Sequence, residues 1–93
     1  MYVLAVYVRL RLFESFSLKD KRRVVQSILQ KMRQKYGVSS AEIDALNQLN
    51  VAGLGFSLVT NRYTHGERHL QQLIAEIEAM YPVEIIALEW INE

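Results

Sequence analysis

Between residues 2 and 13 the chain alternates. Leu4, Val6, Val8, Leu10 and Leu12 fall on one side, and Tyr7, Arg9 and Arg11 on the other. A period of two belongs to a strand with one buried face. The period then lengthens: Leu18, Val25, Ile28, Leu29, Met32 and Tyr36 share one side of a 3.6-residue helix. Ser17 followed three residues later by Asp20 makes a capping-box pattern at its start. Gly37 stands where a left-handed C-terminal cap favours glycine. Residues 38–44 read as a short strand, and 45–50, with two asparagines, as the loop that turns it back. Alternation resumes over 51–60, with Ala52, Leu54, Phe56 and Leu58 inward and Gly53, Gly55 and Ser57 outward. Thr64 with Glu67 three residues on forms a second capping box. Leu70, Leu73, Ile74, Ile77 and Tyr81 supply the stripe of that helix, and Pro82 ends it. Residues 83–91 close the chain as a strand apolar on both faces, Ile86, Leu88 and Trp90 on one and Ile85, Ala87 and Ile91 on the other.

Strand, helix, strand, strand, helix, strand is the order of two right-handed crossovers flanking one hairpin. It predicts an α/β (α+β) chain forming a single ferredoxin-like βαββαβ domain over 1–93, with both helices covering one face of a four-stranded antiparallel sheet. The other face is left open. By the alternation it carries Tyr7, Arg9 and Arg11 beside Gly53, Gly55 and Ser57, with Ile85, Ala87 and Ile91 nearby. A small domain seldom leaves an apolar strand face bare, so Tyr7, Ser57, Ile85, Ala87 and Ile91 are the expected dimer face of a homo-oligomer.

Composition narrows the classes. Ninety-three residues, 51% hydrophobic and 23% charged, suffice for one core and not two. Without cysteine there are no disulfides, thiolate metal sites or cysteine nucleophiles. The apolar stretch at 2–13 is interrupted by Arg9 and Arg11 and falls short of the roughly 20 residues of a spanning helix. A signal peptide would carry its charge before that stretch. A cytoplasmic protein with no membrane partner is expected.

The segment Ser15-Phe16-Ser17-Leu18-Lys19-Asp20-Lys21-Arg22-Arg23, placed directly after an alternating first strand, resembles the S-x-S-L-K-[DE]-K-R opening of the YlxP-like proteins. These are small bacterial proteins grouped as a domain-of-unknown-function family. Ala41-Glu42-Ile43-Asp44 and the small-residue strand at 52–61 are similar to that family as well, so the likeness spans nearly the whole chain. It implies a ferredoxin-like fold, a bacterial cytoplasmic setting and, from the neighbourhood of the family's genes to those of translation factors, a link to ribosomes or RNA. One departure is the loop 45–50, which lacks the His, Asp and Trp that the family tends to carry there.

Charge is unevenly distributed although the net is only +1. Residues 1–38 hold nine Lys/Arg against two Asp/Glu, and residues 39–93 hold two against eight. Lys19, Lys21, Arg22 and Arg23 crowd a helix start, where cations oppose the macrodipole. Lys19, Arg23, Gln26, Gln30 and Arg33 form a polar stripe away from the apolar face. Four cations around free backbone N–H groups suit a phosphate or an RNA backbone, with Arg9 and Arg11 as secondary contacts. The competing reading is a solvated helix face whose cations pair with Glu76 and Glu78 of the second helix. Tyr7 is the one ring the alternation leaves on the two central strands, fewer than sheet-binding RNA domains use. His65 and His69, four apart, fall short of a metal site, and no cofactor is expected. Glu42 and Asp44, two apart on a strand, would share a face. No catalytic constellation emerges, so the chain reads as a non-enzymatic binding module, for RNA or a ribosomal particle, or alternatively as a homodimeric interaction protein.

Overall fold

Strand β1 (Tyr2–Leu12) is the spine of the domain, because its five inward aliphatic side chains are the centre of the core. Leu4, Val6, Val8 and Leu10 are essentially inaccessible to water; burial of such a side chain contributes about 1.5–3 kcal/mol. The computed structural model describes residues 1–92, in the order β1, α1 (Leu18–Tyr36), β2 (Ser39–Asp44), β3 (Val51–Thr60), α2 (Tyr63–Met80) and β4 (Val83–Asn92). The sheet order is β2-β3-β1-β4 with every neighbouring pair antiparallel. The expected ferredoxin-like sandwich is the fold. Val25, Ile28, Leu29 and Met32 of α1 and Leu70, Leu73 and Ile77 of α2 close over Leu54 and Phe56 of β3.

Local chemistry sets the helix ends. Ser17 Oγ accepts the Asp20 N–H at 3.1 Å, and Gly37, at φ 65°, donates its N–H to Arg33 O at 3.0 Å. The second capping box does not form. Thr60 Oγ1 accepts the Arg62 N–H at 3.1 Å, so the chain turns earlier, Arg62 takes the N-cap position, and Thr64 lies inside the first turn. Helix α2 rests on the sheet at Gly66, where a Cβ would come 2.8 Å from Thr60 Cγ2 and 3.1 Å from Leu58 Cδ1.

Two β-bulges redirect side chains that strict alternation misplaces. In β4 the register to β1 shifts between Arg9 and Leu10, so Ile85 lies opposite Leu10 and packs against the core, while Ile86 turns to solvent. Ile85 therefore leaves the expected dimer face, and Ile86 is not a core residue. In the β2–β3 pair the register shifts between Glu42 and Asp44. Glu42 turns toward α1 and Asp44 toward the open face, so the two carboxylates do not form a pair.

Candidate functional site

Of the four cations expected at the start of α1, three stand free. Lys19, Arg22 and Arg23 are exposed, and none makes an ion pair or hydrogen bond among the described residues. Asp20, the one acid beside them, is engaged locally: its Oδ2 accepts the Phe16 N–H at 3.2 Å. From Arg23 a polar groove of about 560 Å³ follows the helix along Gln26, Ser27, Gln30, Lys31 and Gln34. Arg33, placed on the same stripe by the helical wheel, donates instead to Ser40 O at 2.9 Å and ties α1 to β2.

Lys21 is different. Only 2% of it is exposed, which removes it from any phosphate-binding set. It stands on the border of the apolar stripe, one turn before the buried Val25, and turns inward, where Nζ lies 3.2 Å from Glu42 Oε2 and also donates to Ala45 O. The approach to Glu42 is close but too oblique for a hydrogen bond, so that buried carboxylate oxygen has an ion-pair partner and no donor. The link holds the β2–β3 turn against the start of α1.

The acids of α2 take little of the basic charge. Glu76 pairs with Lys35 at 2.6 Å and accepts from the Tyr36 hydroxyl at 2.8 Å. The Lys35 hydrogen bond, then that of Tyr36, holds the Glu76 carboxyl below its ordinary range. Burial and the bond to Glu76 push the Tyr36 phenol up. This contact lies at the far end of α1, so the cations at its beginning are not neutralised by α2.

The open face of the sheet is divided. Its register rows run Ser39–Ser57–Ala5–Ile91 and Ala41–Gly55–Tyr7–Glu89 across the four strands. The small side chains of these rows floor an apolar groove of about 370 Å³, walled by Ile43, Tyr7 and Ile91. Val3 and Val59, paired across β1 and β3, extend the apolar half. At the other end lie charges. Tyr7 donates its hydroxyl to Asp44 at 2.8 Å and accepts from Arg9 at 3.3 Å, Arg9 lies 3.5 Å from Asp44, and Arg11 lies 2.8 Å from Glu84. The hydrogen bond to Tyr7 raises the Arg9 guanidinium above its ordinary value. Arg9 and Arg11 thus have acidic partners and stand on the layer opposite α1, so they do not join Lys19, Arg22 and Arg23 in one site. Of the expected dimer face, Tyr7, Ser57, Ala87 and Ile91 are on this open side.

Two features escaped the pattern of the sequence. The groove exists because the bulge at Ile43 swings that side chain over Gly55, and the small residues facing one another across β2 and β3 were its only trace. Phe16, in the motif but outside every stripe, is 79% exposed. The histidines stack with ring centroids 6.2 Å apart, and His69 Nε2 lies 2.8 Å from Tyr36 O. Among the described residues no three His, Cys, Asp or Glu gather as metal ligands, and no helix is long and apolar enough to cross a membrane.

Fold and surface together describe a small ferredoxin-like α+β domain with an unpaired basic helix start and a half-apolar open sheet. The model of a protein family of unknown function, DUF503, matches residues 3–90, and the chain belongs to that family. It is 30% identical over 81 residues to the uncharacterized protein YlxP of Bacillus subtilis (strain 168), a match covering 85% of this chain and 88% of that protein.

Proposed function

We propose that this chain is a non-enzymatic module that binds RNA, free or within a ribosomal particle, through the exposed face of α1. One observation carries the reading: Lys19, Arg22 and Arg23 are exposed and unpaired, while Lys21, Arg33, Lys35, Arg9 and Arg11 each have an intramolecular partner. Lys19 in the first turn opposes the positive end of the helix dipole, and three unpaired cations side by side are an electrostatic cost that a polyanion relieves. The adjoining groove of glutamines and Lys31 offers donors and acceptors for sugar and base edges. Binding of bulk ribosomal RNA across a salt series tests this. With three phosphates neutralised, log K against log salt should fall with a slope of about −2 to −3. The Lys19/Arg22/Arg23→Ala variant should flatten it. Absence of binding at low salt, or equal binding by the variant, sinks the reading.

A second reading rests on the open sheet. Val3, Ile43, Val59 and Ile91 are exposed at 36–66%, beside the apolar groove, which favours a homodimer joined through this face. Sedimentation equilibrium should then show a doubled mass that Ile91→Asp abolishes. A wild-type chain that stays monomeric into the high micromolar range would rule it out.

A further inference from the structure

The surface next to the three free cations is not only charged. Phe16, the residue preceding the N-cap of α1, exposes 79% of its surface, the most of any large apolar residue after Met1. A hydrophobic residue at that position ordinarily packs on the fourth residue of the helix. Here that residue is Lys21, drawn into the interior by Glu42 and Ala45 O, so the usual partner is missing. Phe16 lies outside the core cluster and its ring makes no aromatic or cation contact among the described residues. Its backbone is nonetheless fixed, by the Phe16 N–H to Asp20 Oδ2 bond and by Ser17 on the Asp20 N–H. The result is an outward aromatic ring on a fixed backbone, a few residues from Lys19, Arg22 and Arg23.

We infer that Phe16 is a stacking platform for one unpaired base of a single-stranded RNA whose phosphates run along Lys19 and Arg23. The inference deepens the proposed function and rests on it. Charge complementarity selects the occupant: Lys19 and Arg23 are four residues apart, about 6 Å along the helix axis, and the polar stripe continues through Gln26 and Gln30. A membrane surface would require the apolar side of α1, which is buried in the core. Aromatic stacking on a single strand is sequence-tolerant because every base has a π-face.

The test uses a short single-stranded RNA carrying 2-aminopurine, whose fluorescence changes on stacking. The wild-type chain should change that signal. Phe16→Leu, an exposed apolar substitution that leaves the fold intact, should bind about tenfold more weakly and lose the signal with the salt slope unchanged. Phe16→Tyr should keep both. Wild-type behaviour of Phe16→Leu, with binding still lost in the Lys19/Arg22/Arg23→Ala variant, overturns the stacking role and leaves the electrostatic reading standing. No RNA binding by the wild type at low salt overturns both. Phe16-dependent binding to phosphatidylglycerol vesicles in its place would identify the ring as a membrane-surface anchor.

Discussion

Lys21→Met is expected to cost about 3 kcal/mol of folding stability, the largest single effect we anticipate outside the aliphatic core. Methionine keeps the packing of the stem and removes the ammonium group. Two groups then lose their partner: the buried Oε2 of Glu42 its counter-ion and the carbonyl of Ala45 its donor. Removing one member of a buried ion pair costs about 3–5 kcal/mol because the remaining charge stays desolvated. The Glu42 side chain is 20% exposed, so water reaches part of it, and the lower end of that range applies. Ala45 adds to the effect, since its φ of 60° is a left-handed conformation that costs about 1 kcal/mol or more in a non-glycine residue and is held in place by this bond. For a domain of this size the loss lowers Tm by roughly 12–24 °C. Lys21→Met combined with Glu42→Leu should recover most of it, because an apolar pair of similar volume replaces a buried ion pair at little cost. Thermal melts of the two single variants and the double variant decide the matter: strictly additive losses would mean that the pair is not coupled. The salt slope of RNA binding should be untouched by Lys21→Met, in contrast to the three neighbouring cations.

That contrast shows where periodicity stops being informative. The stripe of Val25, Ile28, Leu29 and Met32 placed α1, and the alternation in β1 placed the buried face of the sheet, because both signals repeat over many residues and errors at one position cancel. Lys21 is a single residue on the border of a stripe. Its direction is set by Glu42, 21 residues later, which no local pattern contains. The bulges behave likewise. Each inserts one residue, at Ile43 and at Ile86, and inverts the facing of what lies beyond; hence strict alternation puts Ile85 outward and Glu42 on one face with Asp44. The basic cluster itself was legible as composition. Which of its members are free was not, because that depends on Asp20 bonding back to Phe16 and on Glu76 lying at the other end of the helix.

The glycines of β3 provide the second large effect, with opposite outcomes two residues apart. Gly53→Ala should destabilise by about 2 kcal/mol. Its Cβ would lie 1.8 Å from Asp44 Oδ1 and 2.6 Å from the Tyr7 hydroxyl, so the carboxylate must leave. Tyr7 then loses its acceptor and Arg9 its ion-pair partner, and a hydrogen bond to a charged group is worth about 1.5–3 kcal/mol, less where water can replace it. Overpacking adds to the loss, and the reduced entropy of the unfolded chain returns only about 0.4–1 kcal/mol. At Gly55 the nearest atoms are Ile43 Cγ1 and Cδ1, 3.1 and 3.2 Å away, on a side chain that is 56% exposed and free to turn. There the entropy gain outweighs a shift of a few tenths of an ångström, and Gly55→Ala should be neutral or stabilising by under about 1 kcal/mol. Asp44→Ala introduced into Gly53→Ala should return only the overpacking part of the loss, since it vacates the position that the new methyl group needs and leaves Tyr7 and Arg9 without their carboxylate partner. Equal melting temperatures for Gly53→Ala and Gly55→Ala would show that the Tyr7–Asp44–Arg9 network does not hold in solution. The open face would then be continuous from Val3 to Arg11, and the division between its apolar and charged halves would disappear with it.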